Sequence, residues 1–174
     1  MSRARAAALG ASLILLTGCG STVTGTPLAE GGYQGSSSEK FANILQECEA
    51  VSDPQIAAAI GADGVDRGFY GAICRWDGVG GAGPVHVTFN WFETGTTDHE
   101  VAAFEHLGYV VEKITVKGSD AYLVRQPADP QSCGITAGAP AGGVFGWLVR
   151  QPAGGMDACA GVTKLGELTL NVSI

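Results

Sequence analysis

Basic side chains, aromatic side chains and long apolar segments are all scarce in this sequence. Lysine and arginine number 10 against 17 aspartates and glutamates, which gives a formal net charge of −7. An acidic surface repels the phosphates of nucleic acids, so the charge argues against nucleic-acid binding. No apolar run reaches the roughly 20 residues that a membrane-spanning helix needs. We therefore expect the folded part of the chain to lie outside the membrane and to bind no nucleic acid.

Spacings that would indicate a metal, redox or nucleotide site are also missing. Neither the C-x₂₋₄-C spacing of zinc sites nor the C-x-x-C spacing of redox sites occurs. Gly78, Gly80 and Gly83 match G-x-G-x-x-G, but Pro84 and a predicted strand follow them. A dinucleotide site needs a helix at that point, so we predict a hairpin loop and no bound cofactor.

Patterns typical of catalysis or metal binding are incomplete. Gly134–Gly138 resembles a nucleophile elbow with threonine in place of serine, but no histidine follows it in the chain. His99 and His106 are seven residues apart, whereas two metal ligands on one helix are usually spaced i, i+4. His86 lies on a predicted strand among aromatic residues, where a packed or edge histidine is the usual role. We therefore predict no metal site and no enzyme activity.

The start of the chain has the pattern of a bacterial lipoprotein signal peptide. Two arginines precede an apolar run from Ala6 to Leu16, and Leu16-Thr17-Gly18-Cys19 forms a lipobox. In such a signal the cysteine thiol takes up a diacylglyceryl group, and the peptide is then cut before the cysteine. The sequence therefore predicts a signal peptide over residues 1–18 and a lipid on Cys19. That lipid would anchor the chain to the extracytoplasmic face of the cell membrane.

The segment after the lipobox is rich in glycine, serine, threonine and proline. Residues 19–38 contain almost no large apolar side chain, so we predict a flexible tether. Its root-mean-square reach would be about 25 Å. Residues 39–174 then form a single extracytoplasmic domain of ordinary size.

Four cysteines remain in that domain. An even number in an exported domain indicates disulfides, and four cysteines allow three connectivities. Cys48 and Cys74 are 26 residues apart, as are Cys133 and Cys159, so each half of the domain holds one equally spaced pair. This spacing favours the pairs Cys48–Cys74 and Cys133–Cys159.

The hydrophobic pattern of the domain predicts an α+β fold. Helices are expected near 39–48, after an N-cap at Ser52, after an N-cap at Thr97, and over 156–170. Strands are expected near 69–76, 85–92, 109–116, 121–125, 133–137 and 144–149. The alternation of Leu168, Leu170, Val172 and Ile174 fits a final strand equally well. This order predicts an antiparallel sheet of about six strands with helices packed on it, joined by two disulfides.

Two predicted strands hold the chain's main concentration of aromatic residues. Phe89 and Trp91 share one face of their strand, and Phe145 and Trp147 share one face of theirs. These side chains either form the core or line an apolar groove for a ligand from the cell envelope.

The chain resembles actinobacterial, especially mycobacterial, lipoproteins of the LprC/LprB type. The resemblance covers nearly the whole chain and includes the lipobox, the tether and a series of later motifs: Leu45-Gln46-Glu47-Cys48-Glu49, Gly71-Ala72-Ile73-Cys74-Arg75-Trp76, Phe92-Glu93, Cys133-Gly134, Gly146-Trp147, Asp157-Ala158-Cys159-Ala160 and Glu167-Leu168-Thr169-Leu170. That family is a domain of unknown function. The resemblance therefore implies a cell-envelope lipoprotein, carries over the four cysteines, and supplies no catalytic residue.

Three functions fit these observations. The first is a monomeric, non-catalytic module that binds an envelope lipid, glycan or protein. The second is an envelope hydrolase that uses acid–base pairs among Asp53, Asp63 and Asp66, although carboxylates near a helix end are usually solvated. The third is a purely structural or scaffolding role.

The lipobox gives a direct test. Replacement of Cys19 by Ala removes the thiol that accepts the lipid, so the protein should move from the membrane fraction to the soluble fraction. Fractionation of cells followed by immunoblotting measures this. Continued anchoring of the Cys19→Ala variant would contradict the lipoprotein assignment.

Overall fold

The computed structural model describes residues 47–71, 73–80, 83–152 and 155–172. The predicted signal peptide, Cys19, the predicted tether and most of the predicted helix near 39–48 lie outside the described residues. Within the described part of the chain, no helix is long and apolar enough to cross a membrane.

The described part of the domain is built on one antiparallel sheet of seven strands, one more than predicted. In chain order the strands are β1 (Gly64–Tyr70), β2 (Ile73–Val79), β3 (Val85–Phe92), β4 (Val110–Val116), β5 (Ser119–Arg125), β6 (Ser132–Gly138) and β7 (Val144–Arg150). Across the sheet they follow the order β1-β2-β3-β7-β6-β5-β4, and every neighbouring pair is antiparallel. The chain therefore builds two meanders that meet where β3 pairs with β7.

The additional strand is β1, which the sequence analysis did not predict. The strand expected over 69–76 is present as β2 with different bounds, because the predicted range joins the end of β1 to the first part of β2. β1 forms an edge of the sheet, and Gly64, Asp66 and Gly68 stand where an internal strand would carry apolar side chains. Without an alternation of apolar and polar residues, the usual pattern of a strand is not visible in the sequence.

Within the described ranges, three α-helices accompany the sheet. They are α1 (Asp53–Ile60), α2 (Thr97–His106) and α3 (Ala158–Thr169), and a short 3₁₀ turn, Glu47–Glu49, precedes them. α1 begins as predicted, since the backbone N–H of Ser52 donates to Gln55 Oε1 at 3.1 Å. It ends at Gly61, whose φ of +67° stops the helix in the left-handed conformation.

The other two helices differ in detail from the expectation. The N-cap of α2 is Thr96 and not Thr97, because the Thr96 hydroxyl accepts from the backbone N–H of His99 at 3.3 Å. α3 continues through Leu168 to Thr169, and Leu170 is its C-cap. The alternative of a strand is therefore wrong for Leu168 and Leu170.

α1 and α3 pack together, and α3 covers one face of the sheet, here called the covered face. The core beneath them contains Trp76, Phe89, Phe145 and Trp147, each at most 3% exposed. The Trp147 ring centroid lies 4.6 Å from that of Phe89 and 5.6 Å from that of Trp76. The Trp147 indole N–H donates to Thr169 Oγ1 at 2.8 Å, so α3 satisfies the one polar atom of that side chain.

Two disulfides join this layer to the sheet. Cys48–Cys74 links the 3₁₀ turn to β2, and Cys133–Cys159 links β6 to the start of α3. This is the connectivity that the equal spacing favours. Each bond closes a loop over a sequence separation of 26 residues. On the chain-entropy account, a loop of that length contributes about 3.5 kcal/mol to stability.

The bond from Trp147 predicts the effect of a small substitution in α3. Thr169→Val preserves side-chain shape but leaves the buried indole N–H without an acceptor, so the free energy of unfolding should fall by about 2 kcal/mol. Urea unfolding followed by tryptophan fluorescence measures the change. Thr163→Val is the matched control, since Thr163 Oγ1 donates only to the Cys159 carbonyl within the helix. Equal losses in the two variants would contradict the role of Thr169.

Candidate functional site

The second face of the sheet, here called the groove face, is covered only in part. Among the described residues, α2 is the helix that lies against it, and α2 contributes no buried residue. Its inward side is only half-buried, as Glu100 and Phe104 show. A helix that packed tightly on a sheet would bury such positions, so space remains between α2 and the strands.

That space is a cavity of about 310 Å³. Its floor comes from β3, β5, β6 and β7 and consists mostly of residues with small or short side chains: Thr88, Asn90, Val124, Ser132, Gly134, Thr136, Gly146 and Leu148. The register places Gly146 directly opposite Asn90 and Thr136, and Gly134 opposite Leu148. A side chain at Gly146 would crowd Asn90, since its Cβ would lie 2.9 Å from Asn90 Oδ1. Because Gly134 and Gly146 have no side chains, they leave space above the sheet for the cavity.

Aromatic side chains form the wall opposite that floor. The rings of Phe104 and Tyr109 stack with centroids 5.9 Å apart and planes inclined by 17°. Phe104 belongs to α2, and Tyr109 directly precedes β4. The wall and the floor residues Val124 and Leu148 together give the cavity an apolar interior.

Polar groups at one end of the cavity are held in place by each other. Arg150 Nε donates to Asp129 Oδ2 at 2.7 Å. The Ser132 hydroxyl donates to the Asp129 carbonyl at 2.9 Å, and the side chain of Gln126 lies nearby in the lining. These contacts fix the loop between β5 and β6 against the end of β7.

The cavity continues into a more open depression of about 610 Å³ over β2 and β3. Thr88, Leu148 and Arg150 border both spaces, so they form one groove. The open part adds Phe69, Arg75, Asp77 and His86. His86 Nδ1 lies 2.7 Å from Asp77 Oδ1, and both side chains are solvent-exposed.

The aromatic residues proposed from the sequence to line a groove belong to the other side of the sheet. Phe89 and Phe145 are buried in the core, and neither borders the groove. The Trp147 side chain is bonded to α3, although the residue also contributes to the cavity floor. Trp91 is partly exposed and donates from its indole N–H to the Gly142 carbonyl at 3.0 Å. Successive side chains of a strand point to opposite faces, and the side chains of all four aromatic residues point to the face that α3 covers.

The acidic residues considered for hydrolysis do not meet in the groove. Asp53 accepts from Arg67 Nε at 2.8 Å and from the Trp76 indole N–H at 3.2 Å, which gives it a structural role. Asp53 and Asp63 border a shallow depression beside α1, and Asp66 lies outside that depression.

A raised pKa of a carboxyl group can indicate a catalytic residue. The one carboxyl for which such a shift is found among the described residues, Glu47, lies outside the groove. Burial raises the pKa of Glu47, and the nearby charge of Glu93 raises it further. Neither residue lines the groove.

The patterns that suggested chemistry have ordinary structural roles. Gly134–Gly138 lies within β6 and forms no strand-to-helix turn. Gly78 and Gly80 belong to the end of β2 and the turn after it. His99 and His106 are exposed on α2. In the part of the chain that the structure describes, no three histidine, cysteine, aspartate or glutamate residues are grouped so as to hold a metal ion.

The fold and the groove define a disulfide-linked α+β domain with one open sheet face. The chain belongs to DUF3558, a family of proteins of unknown function, which matches residues 14–171. Comparisons with curated proteins and with solved structures give no match.

One feature of the sequence, the glycines within two predicted strands, could have indicated the groove. Gly134 and Gly146 interrupt predicted strands, and a glycine within a strand often marks a place where another group approaches closely. The partner of these glycines is not visible in the sequence, because β6 and β7 meet α2 only in the folded domain.

The loose packing of α2 predicts unequal costs for two similar substitutions. Phe104→Ala should lower the free energy of unfolding by less than about 1.5 kcal/mol, because Phe104 is only half-buried. Phe145→Ala should cost about 3–5 kcal/mol, because it empties a fully buried site. Chemical unfolding of both variants measures the difference. A loss at Phe104 as large as that at Phe145 would show that α2 is part of the core.

Proposed function

We propose that this protein is a cell-envelope lipoprotein of the LprC/LprB type, anchored through a lipid on Cys19, and that its domain binds a small ligand without chemical conversion. The ligand site is the groove between α2 and the groove face. The observation that carries the proposal is the cavity of about 310 Å³ beneath a helix with no buried residue.

The size and lining of this cavity support binding. Protein interiors are close-packed, so a space of this size between a helix and a sheet is unusual and is typical of binding sites. Pockets for small molecules have volumes from about 300 Å³ upward, apolar walls and a few polar groups that orient the ligand. The stacked rings of Phe104 and Tyr109 supply the wall, and Asn90 and Gln126 supply amides.

The composition of the lining favours binding over catalysis. The enclosed cavity contains the hydroxyls of Thr88, Ser132 and Thr136, and those of Ser132 and Thr136 donate to backbone carbonyls. Glu100 borders the same cavity, and His86 borders the open part of the groove, where it faces Asp77. Among the described residues, no hydrogen bond joins Glu100 or His86 to one of these hydroxyls. A hydroxyl nucleophile needs an adjacent base to become reactive. The Asp129 carboxylate is paired with Arg150, and so it is engaged as a structural partner.

The proposed anchor fits a ligand from the membrane or its surroundings. A tether of about 20 residues would hold the domain within about 25 Å of the bilayer surface. At that distance the groove would meet envelope molecules at high local concentration. The acidic surface of the chain keeps the domain itself from adsorbing to anionic headgroups.

A variant with a filled groove tests the proposal. Thr88 lies on the floor shared by the enclosed and open parts of the groove, so Thr88→Trp places a large ring in the binding space. The neutral fluorophore N-phenyl-1-naphthylamine should bind the wild-type protein, and Thr88→Trp should weaken that binding at least tenfold. Fluorescence titration of the full chain carrying Cys19→Ala measures the dissociation constants.

A matched substitution controls for added hydrophobic surface. Thr115 is an exposed threonine on the edge strand β4 and does not line the groove, so Thr115→Trp should bind the fluorophore as the wild type does. Thermal unfolding should show that both variants fold. Absence of binding to the wild type, or equal binding to Thr88→Trp, would refute the proposed site.

A further inference from the structure

We infer that the ligand of the groove is an amphiphile with one apolar chain and an anionic oxygen headgroup, such as a carboxylate or a phosphate. The chain would lie under α2, and the headgroup would lie at Arg75 and Arg150. This inference rests on the proposed function and specifies the chemistry of its ligand.

The enclosed end of the groove suits a hydrocarbon better than a sugar. Phe104, Tyr109, Val124 and Leu148 present apolar surface there, and Leu148 is 45% exposed. Leu148 is therefore an apolar side chain at the floor of a site that a ligand can cover. An exposed apolar surface within a groove gains free energy when an apolar group covers it.

The polar groups near that end are largely engaged within the protein. The Thr136 hydroxyl donates to the Phe145 carbonyl at 3.2 Å, and the Ser132 hydroxyl donates to the Asp129 carbonyl. The Asp129 carboxylate accepts from Arg150. A sugar needs several donors and acceptors at once to replace its bonds to water, and the two hydroxyls have already committed their single donors to the protein.

The open end of the groove holds two guanidinium groups, of which one is paired with Asp129, and the Asp77 carboxylate lies beside His86 in the same part. Arg75 makes no ion pair within the described part of the chain, and it is solvent-exposed on β2 beside Thr88. Arg150 is bound to Asp129 through Nε, which leaves the other guanidinium nitrogens for a ligand. An anionic headgroup would therefore bind chiefly through the unpaired guanidinium of Arg75, with the free nitrogens of Arg150 as a second contact.

The spacing of these arginines fits one small headgroup. Arg75 is opposite Thr88, and Arg150 is opposite His86, so one strand separates them. The strands that carry them are therefore about 10 Å apart. Two long side chains can converge across that distance, and guanidinium groups bind carboxylate and phosphate oxygens through paired hydrogen bonds.

Charge also sets the direction of the ligand. Glu100 on α2 borders the enclosed part of the groove, where a second anion would be repelled. The headgroup is therefore favoured at the arginine end, with the chain directed toward Phe104 and Tyr109. Affinity should then rise about fourfold for each added methylene until the enclosed end is full.

Headgroup-matched competitors test the inference. Decanoate, decyl phosphate, decanol and decyltrimethylammonium share one chain length and differ in charge, and each would be used to displace N-phenyl-1-naphthylamine from the full chain carrying Cys19→Ala. We expect the two anions to compete about tenfold better than decanol, and the cation to compete least. Arg75→Gln should abolish the preference for anions and leave decanol unchanged. Lys117→Gln removes the same charge from a side chain in the β4–β5 turn that makes no ion pair within the described part of the chain and lies outside the groove, so it should have no effect.

The outcomes separate this inference from the proposed function. Equal competition by decanoate and decanol, or a preference for anions that survives Arg75→Gln, would overturn the headgroup assignment while the groove stands. Displacement by maltose but not by any alkyl compound would overturn the choice of an amphiphile. Failure of the fluorophore itself to bind would refute the groove and the inference together.

Discussion

The docking of α3 on the aromatic strands of the sheet is the interaction on which the rest of the structure depends. Trp147 lies at its centre, between the rings of Phe89 and Trp76 and bonded to Thr169 of α3. Gly166 allows the close approach, since a Cβ there would lie 3.0 Å from Ile135 Cδ1. The disulfide from Cys133 in β6 then fixes the start of the same helix. Hydrophobic burial and a disulfide bond therefore both hold α3 on the sheet.

This arrangement leaves the two faces of the sheet unequal. α3 takes up the large apolar side chains of the covered face, so the opposite face receives the alternate residues of the same strands. Those residues are glycine, threonine, asparagine and leucine, and α2 does not bury itself on them. The groove is thus a consequence of how the strands distribute their side chains. A single helix with weak packing is also an element that a ligand can displace at low cost.

Local patterns in the sequence predicted local structure well. The caps of α1 at Ser52 and Gly61 depend on neighbouring residues only, and the structure has them where the sequence places them. The equal spacing of the cysteines likewise indicated the pairs that are present. The strand β1 was missed because an edge strand can fold with glycines and charges that hide its alternation.

The candidate site depended on contacts between distant parts of the chain, and the sequence did not predict it. Alternation correctly placed Phe89 with Trp91 and Phe145 with Trp147 on shared faces. It could not indicate which face α3 would cover, because that choice is made by packing between residues far apart in the chain. Arg75 and Arg150 are 75 positions apart, and they come together at one groove only because β7 pairs with β3. The candidate groove therefore lies on the face opposite the one that carries Phe89 and Phe145.

The most direct test of the proposed groove is to locate a bound alkyl chain by NMR. Intermolecular nuclear Overhauser effects from decanoate would be recorded on methyl-labelled full chain carrying Cys19→Ala. The account predicts contacts to the methyl groups of Val124, Leu148 and Thr136 on the groove face. Contacts to Val162 or Leu165 of α3, or no contacts at all, would contradict it.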